Sequence, residues 1–142
     1  MKTVRHLIRN EQPIFSGLVF AENDSGLLLV PEISAHPVNA NLVVLSACET
    51  SAGKIVSGEG ALSLSRAFLE AGAKRVMGTL WKVQDFASYE LIKNFYSSLL
   101  NDNLNVGDAL RSAQLSVYNN AENDWSDPYY WAAYQIQGGG AQ

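Results

Sequence analysis

Two kinds of apolar spacing alternate along the chain. The runs Leu42–Ser46 and Val76–Trp81 are apolar without polar alternation, so they suit strands buried on both faces of a mostly parallel sheet. Between them Leu62, Leu64, Ala67, Phe68 and Ala71 recur at helical intervals over Ala61–Ala71, and Gly72 stands where such a helix stops. Strand, helix and strand make one β-α-β unit, whose right-handed crossover sets the strands parallel. Upstream, Phe15–Ala21 and Gly26–Val30 are apolar runs separated by the turn formers Glu22-Asn23-Asp24-Ser25, which predicts a hairpin. Met1–Gln12 has no clear period, and Pro31–Pro37 reads as a connection in which Pro37 holds His36 extended. Downstream, Phe86–Leu100 carries Phe86, Tyr89, Ile92, Tyr96 and Leu99 at helical spacing, with Asp85 as its expected cap. Val106–Tyr118 is a second amphipathic helix, with Val106, Ala109, Leu110, Ala113 and Val117 inward. Pro128–Ile136, with Tyr129, Tyr130, Trp131 and Tyr134, reads as an aromatic strand.

Composition narrows the classes. The chain has 142 residues, 47% hydrophobic and 17% charged, enough for one domain with a real core and too little charge for a disordered chain. Its formal net charge is −4 and its ten Lys and Arg are scattered, which argues against a nucleic-acid partner. No run approaches membrane-spanning length, and the basic start MKTVRHLIRN lacks the apolar segment of a signal peptide, so no membrane association is expected. One cysteine cannot form an internal disulfide, which suits a reducing, cytoplasmic interior. Metal-binding spacings of Cys and His are absent, and neither Gly58-Glu59-Gly60 nor Gly138-Gly139-Gly140 has the spacing or lysine of a phosphate loop. No metal and no cofactor are expected.

That cysteine, Cys48, follows the Leu42–Ser46 strand, and the carboxyl ends of strands in α/β sheets are where ligands and chemistry gather. A thiol there is a candidate nucleophile, although a lone cysteine more often serves as a small apolar filler. Glu49–Gly60 is a long polar loop of the kind that carries function, and Glu59 near the next helix start complements its dipole. Trp81-Lys82-Val83-Gln84-Asp85 leaves the neighbouring strand.

Several blocks together carry a family likeness. Leu45-Ser46-Ala47-Cys48-Glu49-Thr50, Gly58-Glu59-Gly60, Arg66-Ala67-Phe68, Ala71-Gly72-Ala73, Leu80-Trp81-Lys82-Val83-Gln84-Asp85, Asn94-Phe95-Tyr96, Ala109-Leu110-Arg111 with Ala113-Gln114, and Pro128-Tyr129-Tyr130-Trp131-Ala132-Ala133 closely resemble the CHAT domain, in order and in spacing, from about Pro13 onward. CHAT domains belong to the caspase-like cysteine peptidases. The resemblance implies an α/β fold, a caspase-like α/β/α sandwich with a mostly parallel central sheet, and a His-Cys dyad. It makes Cys48 the expected nucleophile and His6 its base, and sets Ser46, Trp81 and Asp85 near the substrate's side-chain pocket.

Two departures qualify that expectation. The family's histidine stands in a His-Gly pair whose glycine N–H helps form the oxyanion site, but Leu7 follows His6 here. A second register puts Asn10 in the histidine's place and leaves no dyad, and His36 suits a surface or loop role. The family also has strands and a helix before the histidine, so residues 1–142 are expected to be one N-terminally truncated CHAT domain whose free sheet edge is covered by another copy or a partner subunit. The reading is a cysteine endopeptidase homologue acting on a protein or peptide substrate; the alternative is an inactive partial domain serving as a protein-interaction module. A Rossmann-like ligand domain is disfavoured by the absence of its glycine fingerprint.

Overall fold

The expected hairpin is present in the computed structural model, which describes residues 4–7, 17–20, 26–45 and 59–139. Its arms are β2 (Gly17–Phe20) and β3 (Leu27–Leu29), antiparallel, with Gly17 opposite Leu29 and Leu18 opposite Leu28. A Cβ on Gly17 would meet the Leu28 carbonyl oxygen at 2.5 Å, so only glycine fits this close approach. Val4–Leu7, a segment with no readable period, forms β1 and pairs antiparallel with β2, His6 opposite Leu18.

The chain divides into two compact units, Met1–Leu80 with Ile136–Gln142 and Trp81–Gln135. In the first, β3 leads directly into α1 (Val30–Ala35), where a plain connection was expected. Pro31 falls in the first turn, where its missing N–H costs nothing, and the Glu32 carboxylate accepts the Leu29 N–H at 2.8 Å. Ile33 anchors the helix in the core, only 2% exposed. His36 follows in extended geometry as Pro37 demands, and its exposed ring bonds the Glu32 carbonyl at 2.7 Å.

The predicted β-α-β unit is found. β4 (Val43–Val44) runs parallel to β5 (Arg75–Thr79), Val43 opposite Val76 and Val44 opposite Met77, and the Leu45 N–H extends the ladder to the Met77 carbonyl at 2.8 Å. The helix between them, α2 (Glu59–Glu70), ends where Gly72 adopts φ +109°. There the Gly72 N–H bonds the Leu69 carbonyl and the Ala73 N–H the Phe68 carbonyl, each at 3.0 Å, a Schellman closure that requires the left-handed residue glycine supplies. Leu64, Ala67 and Val76 form the centre of this unit's core with Leu18, Ile33 and Leu45. Val76 and Met77 are consecutive, hence on opposite faces of β5, and neither has any exposed surface.

The expectation of a mostly parallel sheet is corrected by the strand order. Two three-stranded sheets occur among the described residues, β1-β2-β3 and β4-β5-β6, where β6 is Tyr134–Gly138. The first is antiparallel throughout, because short connections can join only antiparallel neighbours. The architecture is mixed α/β, with small sheets and four helices among the described residues.

The second unit is built on α3 (Asp85–Leu100) and α4 (Val106–Tyr118). Asn94 Nδ2 donates to Ser116 Oγ at 2.9 Å and Ser98 Oγ to Ser112 Oγ at 3.2 Å. One turn forward on α3 matches one turn back on α4, so the helices are antiparallel. The buried face of α4 is the expected one, with Ala109, Leu110, Ala113 and Val117. That of α3 is not: Ala87, Leu91, Phe95 and Ser98 are buried, while Phe86, Tyr89 and Tyr96 are exposed. The inward stripe is turned by one residue, about 100°, toward the face on which Ser98 meets Ser112 of α4 and on which Leu91 and Phe95 are fully buried. Asn105 caps α4, accepting the Asp108 N–H at 3.0 Å.

The aromatic strand expected over Pro128–Ile136 is also corrected. Pro128–Tyr130 is a 3-10 turn, and the strand begins at Tyr134. The Asp127 carboxylate accepts the Tyr129 N–H at 2.8 Å and Pro128 supplies the preset φ, so local capping outweighs the strand preference of the aromatics.

Candidate functional site

The strand that leads toward the thiol is short and firmly held. Val38 N–H donates to the Ala71 carbonyl at 2.7 Å and Lys74 N–H to the Ala40 carbonyl at 2.9 Å, so the approach to β4 is tied to the turn between α2 and β5. Leu45, 8% exposed, is the last described residue before the loop. Cys48 and Ser46 lie outside the described residues, and with them the expected Cys48–His6 pairing. His6 is the penultimate residue of β1, and Leu7 closes the strand.

The other two expected site residues open the second unit. Trp81 is half-buried, and its indole N–H donates to the Tyr129 carbonyl at 3.0 Å. Asp85 is exposed as the first residue of α3; the cap position belongs to Gln84, which makes no side-chain cap bond, so the capping role expected of Asp85 is corrected. Among the described residues the Asp85 carboxylate has no hydrogen-bond or ion-pair partner. Phe86 stacks on Tyr89 with centroids 6.4 Å apart and meets Trp125 edge-on at 5.6 Å. The exposed Phe86 and Tyr89 therefore pack on each other, and Phe86 also against the buried Trp125.

A cleft in the same unit was not legible in the chain. Its walls are Arg111, Gln114, Leu115, Tyr118 and Trp131, around a cavity of about 290 Å³. Arg111, Leu115 and Tyr118 recur at helical spacing on the side of α4 turned away from α3. The Gln114 amide donates to two carbonyls, Trp131 at 3.2 Å and Tyr134 at 3.1 Å, and so holds the opposite wall. Tyr118 meets Trp131 edge-on, centroids 5.9 Å apart at 82°. A signal existed in Arg111, Leu115 and Tyr118 at intervals of four and three, but it reads equally as the flank of an amphipathic helix.

Comparison with known proteins agrees with this frame. A family model described as the CHAT domain matches residues 4–139. Tetratricopeptide repeat protein 28 of Mus musculus is 35% identical over 115 residues, and the protein of the same name from Homo sapiens is 38% identical over 115 residues. Each alignment covers 79% of this chain and 4% of the relative, so the chain spans a small fraction of the proteins it matches. With its β-α-β unit in place and a family match across nearly its whole length, the chain belongs to the CHAT domain family.

Proposed function

We propose that this CHAT domain is a cysteine endopeptidase homologue whose chemistry centres on Cys48 and His6. The observation that carries the reading is the parallel pairing of β4 with β5, since the chain passes from that ladder at Leu45 to its single cysteine within one short step of sequence. The burial of β5 on both faces supports a caspase-like α/β/α sandwich, in which helices cover both sides of the sheet.

The chemistry follows from the residue types. His6 accepts the Cys48 proton, and the thiolate sulfur bonds to the carbonyl carbon of the scissile peptide. Backbone N–H groups hold the oxyanion, whose collapse breaks the C–N bond; the leaving amine takes the proton back from His6. Water then hydrolyses the thioester, releasing the acid and restoring the thiol. Ser46, Trp81 and Asp85 contact the substrate peptide, where the exposed Asp85 carboxylate suits a basic side chain. A reducing, cytoplasmic setting keeps the thiol available. Among the described residues β1 and β3 each have one strand neighbour, which suits a second copy or a partner subunit pairing along the sheet edge.

A second reading, an interaction module without turnover, is favoured by the sequence at His6, which is followed by Leu7 and not by the glycine of the family's His-Gly pair. Iodoacetamide labelling of Cys48 across pH separates the two. A half-maximal rate well below the free-thiol pKa of about 8.5, moved upward by His6→Ala, supports the dyad. An ordinary midpoint indifferent to that substitution rejects it and leaves the interaction module.

A further inference from the structure

The cleft on α4 joins three properties that suit a bound partner. Its walls are preformed, because both N–H bonds of the Gln114 amide are spent on the Trp131 and Tyr134 carbonyls and the Trp131 indole N–H reaches the Ser126 carbonyl at 3.4 Å. Its lining is mostly apolar yet wet, with Leu115 and Tyr118 each 47% exposed. Its rim carries a cation without a counter-ion. Among the described residues Arg111 has no ion-pair or hydrogen-bond partner, although the unit holds seven carboxylate side chains between Asp85 and Asp127 and only two other cations, Lys82 and Lys93. The nearest candidate on its own helix, Asp108, is engaged by Asn105 Nδ2 at 2.6 Å. A guanidinium with no partner among the described residues, beside an apolar cleft, offers charge complementarity to a carboxylate.

We propose that this cleft docks an extended peptide of a partner protein, which inserts one large apolar side chain among Leu115, Tyr118 and Trp131 and sets a neighbouring carboxylate against Arg111. The volume favours this occupant. At about 290 Å³ the cavity lies just below the range of about 300–1,000 Å³ typical of small-molecule sites, and one side open to solvent suits an anchor residue with its chain continuing outside. Aromatic walls with an arginine are also the pairing that concentrates binding energy in protein interfaces. None of the lining residues takes part in the chemistry assigned to Cys48, so the docking site stands or falls separately from the peptidase reading.

A phage-displayed library of short random peptides, selected against the full chain, supplies the probe. Enriched peptides are resynthesised with fluorescein and titrated by fluorescence anisotropy. The expected peptides carry Asp or Glu beside, or one residue from, Phe, Tyr, Trp or Leu. Arg111→Glu and Leu115→Ser each weaken them by about tenfold or more, and replacing the peptide carboxylate by lysine restores binding to the Arg111→Glu protein. Both side chains are exposed, so thermal unfolding should be unchanged; Arg111→Gln, which keeps length and loses charge, is the milder second variant. Selection of no such peptide overturns the proposal, as does affinity that ignores the arginine variants or the leucine variant. A concentration-dependent dimer dispersed by Arg111→Glu also overturns it, because the occupant is then a second copy of this chain.

Discussion

The indole N–H of Trp81 donates to the backbone carbonyl of Tyr129 at 3.0 Å, linking the start of the second unit to the 3-10 turn nearly fifty positions later. This bond closes the second unit on itself, because Trp81 opens that unit and Tyr129 lies just ahead of its last turn. Trp81→Phe keeps the ring and removes the donor. It should lower stability by about 0.5–1.5 kcal/mol, read as a shift in urea midpoint with unchanged m-value. No shift at all shows that water replaces the bond at no cost.

Gln114 is a more demanding position. Its amide donates to two carbonyls, those of Trp131 and Tyr134, so Gln114→Leu removes both bonds at once. The expected loss is about 2–3 kcal/mol, the sum of two modest hydrogen bonds and their desolvation. Gln114→Glu should be no better, since an ionised carboxylate accepts and cannot donate. Equilibrium denaturation of both variants measures this, and a harmless glutamate contradicts the donor role.

The one-residue turn of α3 is tested by a pair of neighbours. Phe95 has no exposed surface, while Tyr96 beside it is 40% exposed. Phe95→Ala should cost about 3–5 kcal/mol, enough to unfold a marginal protein. Tyr96→Ala should cost less, because 40% of the tyrosine's surface is already in water. Equal losses in a thermal melt, or the reverse order, refute the observed face.

At Gly72 the backbone itself sets the residue. A side chain at φ +109° is strained, and the new Cβ would lie 3.2 Å from the Val38 carbonyl oxygen. Gly72→Ala should therefore destabilise the chain by about 1–3 kcal/mol. Amide exchange in the last turn of α2 should rise with it, since the Schellman bonds of Gly72 and Ala73 close that turn. Unchanged protection there would show that the turn tolerates a side chain.

Local patterning alone determined much of this protein. The α2 and α4 stripes, the stop at Gly72, the hairpin arms and the parallel β4–β5 pair are legible because each rests on neighbours close in sequence or on a strict period. Tertiary packing decided the rest. Nothing in residues 4–7 distinguishes a strand until β2 offers its free edge. The face of α3 is ambiguous because its apolar residues surround the helix, and only packing decides that Leu91, Phe95 and Ser98 are covered while Phe86, Tyr89 and Tyr96 are not. The cleft of Arg111, Gln114 and Trp131 depends on two hydrogen bonds spanning the chain between α4 and β6. A helical period records which side of a helix is apolar, but only a packed neighbour decides which part of that side is covered and which is left for a partner.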